Sequence, residues 1–440
     1  MQSLVVSLLA VSALAAPTAS PIKVSLPQRR SLSSRSTVDY ATLLTNLNHT
    51  VQKYTKGQSS LKTYSNDGTL ISSVLGSLKH KRQDAEEALT DQVEDGEDEE
   101  YYGPGTVAGQ SGFLFDFDTG SADTFVPGPT CGTAQGCSGT VHYENTGTDE
   151  HNTTTVTYGS GQVSGENYYD TVTIAGLEAT HQNIISLTTA TGFSTSDSNS
   201  LMGMGFQSIA ASGQPPYFKT LIDEGKVSTP EFSFYLGRAA SGTENDSEMT
   251  LGGRDPAHFT GTPTTIAVST PGYWQIPLDG IKVNDFEDPV DQLVDAGQAA
   301  IDTGTTIVLT PSAALFTIAA RIPGAFPVPL ALVDGELEPI FLAYPCAENP
   351  VVAITFGGKD FAINPEDFNF GQLTPDFGSI LGNNTLSSVL DEASYCLAGV
   401  AGFDIDPTEN LYVVGDVFLK NWYSNFSYDG PTVSFAKSQP

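Results

Sequence analysis

Phe115-Asp116-Phe117-Asp118-Thr119-Gly120-Ser121 is answered 184 positions later by Ala299-Ala300-Ile301-Asp302-Thr303-Gly304-Thr305. In each copy an apolar strand runs into Asp-Thr-Gly and then a hydroxyl residue. A buried strand that ends in Asp places a carboxylate at the mouth of a core, where desolvation raises the cost of ionising it. The glycine allows a tight turn, and the hydroxyl of Ser121 or Thr305 can donate a hydrogen bond to the adjacent carboxylate and orient it. A second apolar run ending in glycine follows each copy, Leu201-Met202-Gly203 and Val413-Val414-Gly415. Two similar lobes are the simplest reading, because the interval is far longer than a solenoid repeat. If the lobes face each other across a pseudo-twofold axis, Asp118 and Asp302 meet. Two carboxylates in contact do not both ionise readily, so the pair holds one proton over a broad acid range. Such a pair supplies both halves of acid–base catalysis: one member takes a proton from a bound water, and the other polarises a scissile carbonyl.

The rest of the body agrees with a mainly β class. From Tyr101 onward the chain is dense in Gly, Thr, Ser, Val, Ile, Phe and Tyr, with short alternating runs at Thr153 to Tyr158, Tyr168 to Ile174 and Thr355 to Ile363. Helical patterns are few: Pro216 to Glu224, Pro311 to Ala320 and Leu386 to Glu392. With 440 residues, 39% of them hydrophobic and only 16% charged, the chain is long and apolar enough for more than one core.

Charge divides the chain. Residues 17–82 hold ten basic and two acidic residues, a net of +8, whereas residues 83–440 hold nine basic and 49 acidic ones, a net of −40. The overall net charge of −32 disfavours nucleic acid or an anionic membrane as a partner. Leu4 to Ala16 is an apolar run too short to span a bilayer and ends in small residues, so residues 1–16 read as a signal peptide. Lys79-His80-Lys81-Arg82 closes the basic segment, and Lys81-Arg82 reads as a dibasic cut that releases residues 17–82 as a propeptide. Ten carboxylates between Asp84 and Glu100 make residues 83–100 an acidic stretch, expected to be a flexible tail through self-repulsion.

Cys131, Cys137, Cys346 and Cys396 form an even set without the C-x-x-C spacing of zinc or redox sites, which suits an oxidising compartment. Three pairings are open; Cys131 with Cys137 would close a short loop, and Cys346 with Cys396 would tie distant strands. Sequons at Asn152, Asn245, Asn383 and Asn425 fit secretion. The six histidines show no metal-binding spacing, so neither a metal nor another cofactor is expected.

Taken with these motifs, 101–437 resembles the pepsin-like aspartic endopeptidases of the secreted fungal type. Val156 to Gly165 is similar to the flap hairpin that closes over substrate, with Tyr158 at its tip and Gly159, Ser160 and Gly161 beside it; Tyr273-Trp274-Gln275-Ile276 and Gly415 to Tyr423 also match the family. The resemblance implies a bilobal β fold with a central cleft, an N-terminal lobe over 101–270 and a C-terminal lobe over 271–440. It implies Asp118 and Asp302 as the catalytic pair, supported by Thr119, Gly120, Ser121, Thr303, Gly304 and Thr305. Cys131–Cys137 and Cys346–Cys396 fall where the family carries disulfides. The implied protein is a secreted or vacuolar-type monomeric zymogen, inhibited by its own propeptide and released by acid. Its implied substrates are polypeptides cut between apolar residues.

Some positions depart from the family pattern. Phe125 replaces the usual tryptophan partner of the flap tyrosine, the strand before the first motif reads as short, and Asn199-Ser200 replaces Asp-Gly. Ser160 stands where some fungal members have Asp, which implies weak cleavage after lysine. These departures motivate the alternative of a pepsin-like binding protein without catalysis.

Overall fold

The computed structural model describes residues 101–137, 141–157, 162–191, 198–238, 242–243, 246–284, 296–329, 340–373, 394–406 and 408–439, the backbone of strands within 85–100, and Leu47, Thr50, Val51, Lys53 and Tyr54 of a leader helix. The architecture is mostly β.

The repeat seen in the sequence is a repeat of topology. In the first half the strand Gln110–Asp118 lies parallel to Ser200–Gly203, which runs antiparallel to Thr124–Pro127, which lies parallel to Leu177–Thr191. The second half repeats the order and the polarity: Gly297–Ile301 is parallel to Leu411–Val414, antiparallel to Val308–Thr310, parallel to Tyr395–Gly402. Strands buried on both faces read as continuous apolar runs, and Ser200–Gly203, Val308–Thr310 and Leu411–Val414 are buried at every position.

A third sheet joins the halves, in the order Ala85–Ala88, Glu248–Leu251, Glu231–Tyr235, Trp422–Ser427, Thr432–Ser438, Phe259–Ala267. It draws strands from both sides of residue 270. Above it Trp274 is fully buried among Phe206 at 4.4 Å, Tyr428 at 5.1 Å, Phe426 at 5.3 Å and Phe232 at 5.6 Å between ring centres. Its indole N–H donates to the Met204 carbonyl at 2.9 Å, so the polar atom carried into the core is satisfied.

Three sequence expectations change. The acidic stretch is not a free tail: Ala85–Ala88 pairs with Glu248–Leu251, and Thr90–Glu94 pairs with Glu97–Val107. Charge repulsion opposes collapse, but main-chain bonding along a sheet edge needs no apolar side chains. The run Thr355 to Ile363 is a hairpin of two strands, Val352–Phe356 and Lys359–Ile363, because Gly357 and Gly358 both take positive φ, 58° and 75°, in the two-residue turn. The strand into the first motif is nine residues long, entered through a tight turn at Ala108-Gly109. The helices Tyr217–Asp223 and Ser312–Ala319 form where the pattern placed them, while Leu386 to Glu392 lies outside the described residues.

Candidate active site

Asp118 ends its strand, and Asp302 follows the strand Gly297–Ile301, where its N–H donates to the Val414 carbonyl at 3.0 Å. The two turns lock through their threonines. Thr119 N–H donates to Thr303 Oγ1 at 3.1 Å and Thr303 N–H to Thr119 Oγ1 at 3.0 Å; each hydroxyl then donates across the axis, Thr119 to the Ile301 carbonyl at 2.9 Å and Thr303 to the Phe117 carbonyl at 2.6 Å. These reciprocal bonds bring the carboxyls within hydrogen-bonding reach of one another. Gly120 N–H donates to Asp118 Oδ1 at 2.8 Å and Gly304 N–H to Asp302 Oδ1 at 3.0 Å. Both glycines are required by close approach: a Cβ on Gly120 would lie 2.5 Å from Asp302 Oδ1, and one on Gly304 would collide with Asp118 Oδ1.

The supporting hydroxyls are unequal. Thr305 Oγ1 donates to Asp302 Oδ2 at 2.5 Å. The Ser121 hydroxyl is buried and eases ionisation of Asp118, but it reaches no full hydrogen-bond geometry, so the expected support is realised on one side only.

The leader reaches this site. Leu47, Thr50, Val51 and Tyr54 follow the i, i+3, i+4, i+7 spacing of one helix face and are all buried. Lys53 Nζ lies 2.9 Å from Asp118 Oδ1 and 2.8 Å from Asp302 Oδ2. Tyr54 O–H donates to Asp302 Oδ2 at 3.0 Å and its ring packs on Tyr273 at 4.4 Å, while Thr50 and Thr305 hydroxyls meet at 3.2 Å.

The two carboxyls are held apart electrostatically. Burial pushes Asp118 up to about 6 against the opposing charge of Lys53, with the neighbouring Asp302 charge adding to the rise. Burial acts in the same direction on Asp302, but Lys53 and hydrogen bonds from Asp118, Lys53 and Thr305 outweigh it and hold this carboxyl below the usual range. Lys53 is itself raised, because the two carboxylates overcome the burial that disfavours its charge.

Lys53 and Tyr54 were missed in the sequence: the spacing of Leu47, Val51 and Tyr54 marks a packed helix face, but nothing local singles out Lys53. Tyr158, Gly159, Ser160, Gly161, Asn245, Asn383, Lys81 and Arg82 lie outside the described residues. Phe125 is buried with Val163, Ile185, Leu201 and the Cys131–Cys137 bridge. Asn199 ties the strands beside the first motif, accepting from Leu114 N–H at 2.9 Å and donating to the Gly112 carbonyl at 3.3 Å. Both disulfides join the partners that the resemblance implied. Asn152 is exposed. Asn425 is 1% exposed within its strand and donates to Glu231 Oε2 at 3.2 Å, so that sequon has no room for a glycan.

Two lobes of matched topology with one carboxylate from each, clasped through reciprocal threonines, define a bilobal hydrolase built on a paired-aspartate centre. The family model for eukaryotic aspartyl protease matches residues 100–438, and the chain belongs to that family. It is 35% identical over 365 residues to an aspartic protease of Phaffia rhodozyma, covering 82% of this chain and 81% of that protein. Over 354 residues it is 31% identical to cathepsin E of Rattus norvegicus, covering 78% and 81%, and over 351 residues 30% identical to cathepsin D of Chionodraco hamatus, covering 78% and 82%. The chain is an aspartic endopeptidase.

Proposed function

We propose that the protein is secreted as a monomeric zymogen and, once acid displaces the leader, hydrolyses polypeptides at acid pH through a water held between Asp118 and Asp302. The observation that carries this reading is the seat of Lys53: its ammonium bridges both carboxylates at the place where water and the scissile carbonyl would meet them. With the leader gone, the pair keeps one proton. The ionised carboxylate takes a proton from the water as its oxygen attacks the carbonyl carbon; the protonated one donates to the carbonyl oxygen, and no covalent intermediate forms. Thr305 and the Gly120 and Gly304 N–H groups hold the carboxyls in place throughout.

Acid release follows from linkage. Lys53 lowers the pKa of both carboxyls, so seating the leader and ionising the pair favour one another. Protonating the pair as pH falls therefore loosens Lys53, and the attraction between a +8 leader and a −40 body weakens as other carboxylates protonate. Cleavage after Lys81-Arg82 would then leave the body beginning in the acidic strands. An apolar cleft preference and passage through a secretory or vacuolar-type route belong to the same reading, and two disulfides support the oxidising route.

The test is hydrolysis of an unfolded polypeptide by acid-treated protein from about pH 2 to about pH 8, beside Asp118→Asn and a statine-type inhibitor. Acid-limited cleavage abolished by both is expected. No cleavage by folded, leader-free protein would instead favour a binding protein of the same fold.

A further inference from the structure

Away from the cleft, the joining sheet gathers three side chains whose sequence spacing matches no metal motif. Glu248 lies in the strand Glu248–Leu251, Asp255 caps the short helical turn Pro256–His258, and His258 closes that turn. One atom of each carboxylate is occupied: Thr250 Oγ1 donates to Glu248 Oε1 at 3.2 Å, and Ala257 N–H donates to Asp255 Oδ1 at 2.8 Å. The His258 ring is fixed by stacking on Tyr235 at 4.3 Å and 9°. The other oxygen of each carboxylate, Glu248 Oε2 and Asp255 Oδ2, faces His258 Nε2, and the three residues offer ligand atoms that all lie within 4.8 Å of one another.

The spacing is informative. His258 Nε2 is 3.7 Å from Glu248 Oε2 and 4.0 Å from Asp255 Oδ2, too far for a direct hydrogen bond. Two ligands each about 2.0–2.2 Å from one ion lie roughly 3.3–3.6 Å apart at the tetrahedral angle, so an ion would draw the three side chains in by a few tenths of an ångström. The Asp255 side chain is only 9% exposed; its Oδ1 accepts from Ala257 N–H, and its Oδ2 faces His258 Nε2 at 4.0 Å. Apart from His258 itself, the nearby polar groups are engaged elsewhere: Arg254 pairs with Glu231 at 3.2 Å, and the Tyr423 hydroxyl oxygen accepts from the Asp255 N–H and meets the Ser233 hydroxyl.

We propose that Glu248, Asp255 and His258 form a binding site for a divalent transition metal, with Zn²⁺ the best match to one imidazole and two carboxylates and a water completing the coordination. The site is structural. Glu248 pairs across the sheet with Ala88, and the His258 carbonyl accepts from Gln439 N–H at 2.9 Å, so an ion there pins the turn where the start of the body and the C-terminal strand reach the joining sheet.

The experiment uses the untagged full chain, stripped with a chelator, at neutral pH. Zn²⁺ is titrated calorimetrically, and Co²⁺ is added to read its ligand-field absorption. One tight ion per chain is expected. His258→Gln should abolish it, while Glu248→Gln and Asp255→Asn, which keep the bonds to Thr250 and Ala257, should each weaken it about tenfold or more. Hydrolysis after acid treatment checks that each variant folds, since none of the three touches the cleft. If His258→Gln fails to fold, the two amide variants decide. Absence of a tight ion in the unaltered chain, or binding left unchanged by the variants that fold, overturns the site and leaves only diffuse binding to a −40 surface or a histidine flanked by carboxylates.

Discussion

Thr303 shows how much of the site rests on a single side chain that does no chemistry. Its hydroxyl accepts from Thr119 N–H and donates to the Phe117 carbonyl, both buried, so Thr303→Val strands a donor and an acceptor at once. At about 1–3 kcal/mol for each group left without a partner, the variant should lose roughly 2–6 kcal/mol in denaturant unfolding. A midpoint equal to that of the unaltered chain would show that the clasp is ornamental. Lys53 is the second case. Removing one partner of a buried pair leaves the other charge uncompensated, so Lys53→Met should raise Asp118 and Asp302 together and weaken the seated leader. The pH at which acid treatment first yields activity should then rise by about one unit or more, because a carboxyl freed of its cation protonates earlier on descent. An unmoved threshold would take the lock away from Lys53.

Among the elements, the two bridges differ by what they close. Cys346–Cys396 spans 50 positions and Cys131–Cys137 only six, and the chain-entropy estimate is about 4 kcal/mol for the first against about 2 kcal/mol for the second. Replacing both members of the longer bridge by alanine should lower the melting temperature further than the same change in the shorter one; the reverse order would point to native packing around Cys131 rather than chain entropy. Elements also mark where sequence reasoning holds. Strands ending in Asp-Thr-Gly, the helices after Pro216 and Pro311 and the duplicated lobes were legible because burial and turn chemistry are local signals. The hairpin at Gly357-Gly358 was not, because alternation continues through both of its strands and only the glycine pair marks the reversal. The strands at 85–100 were invisible for a different reason: their partners, such as Glu248–Leu251, lie far along the chain, and local charge argues against order. Lys53 was missed since nothing local distinguishes it from the other nine basic residues of the leader, and its role appears only once the lobes have met.

At the scale of the whole molecule, charge governs when the fold survives. A body of 49 acidic and nine basic residues leaves most carboxylates without a cationic neighbour, so self-repulsion grows as they ionise. Buried carboxyls add to this with a definite sign. Burial raises Asp118 to about 6 and raises Asp123 as well, the latter against hydrogen bonds from Ser212 and Ala211. Between the ordinary carboxyl pKa and these raised values the folded state holds more protons than the unfolded one, and stability falls as pH rises through that window. In the full chain Asp302 works oppositely: with Lys53 seated its lowered pKa stabilises the fold above the ordinary carboxyl value, and that contribution is lost as pH falls through the lowered one, which sets an acid limit on the leader-bound form. The leader-free body should therefore be most stable near pH 3–5 and unfold above neutrality, an order-of-magnitude window from these terms. The full chain should hold to higher pH, because its leader brings a net +8 against the body and Lys53 against the pair. Salt at about 1 M, with a screening length of about 3 Å, should recover much of the loss at alkaline pH and change little near pH 4. Melting curves of both forms across pH at low and high salt decide the matter: a melting temperature that climbs steadily from about pH 4 to about pH 8, or an alkaline loss indifferent to salt, would sink the repulsion argument.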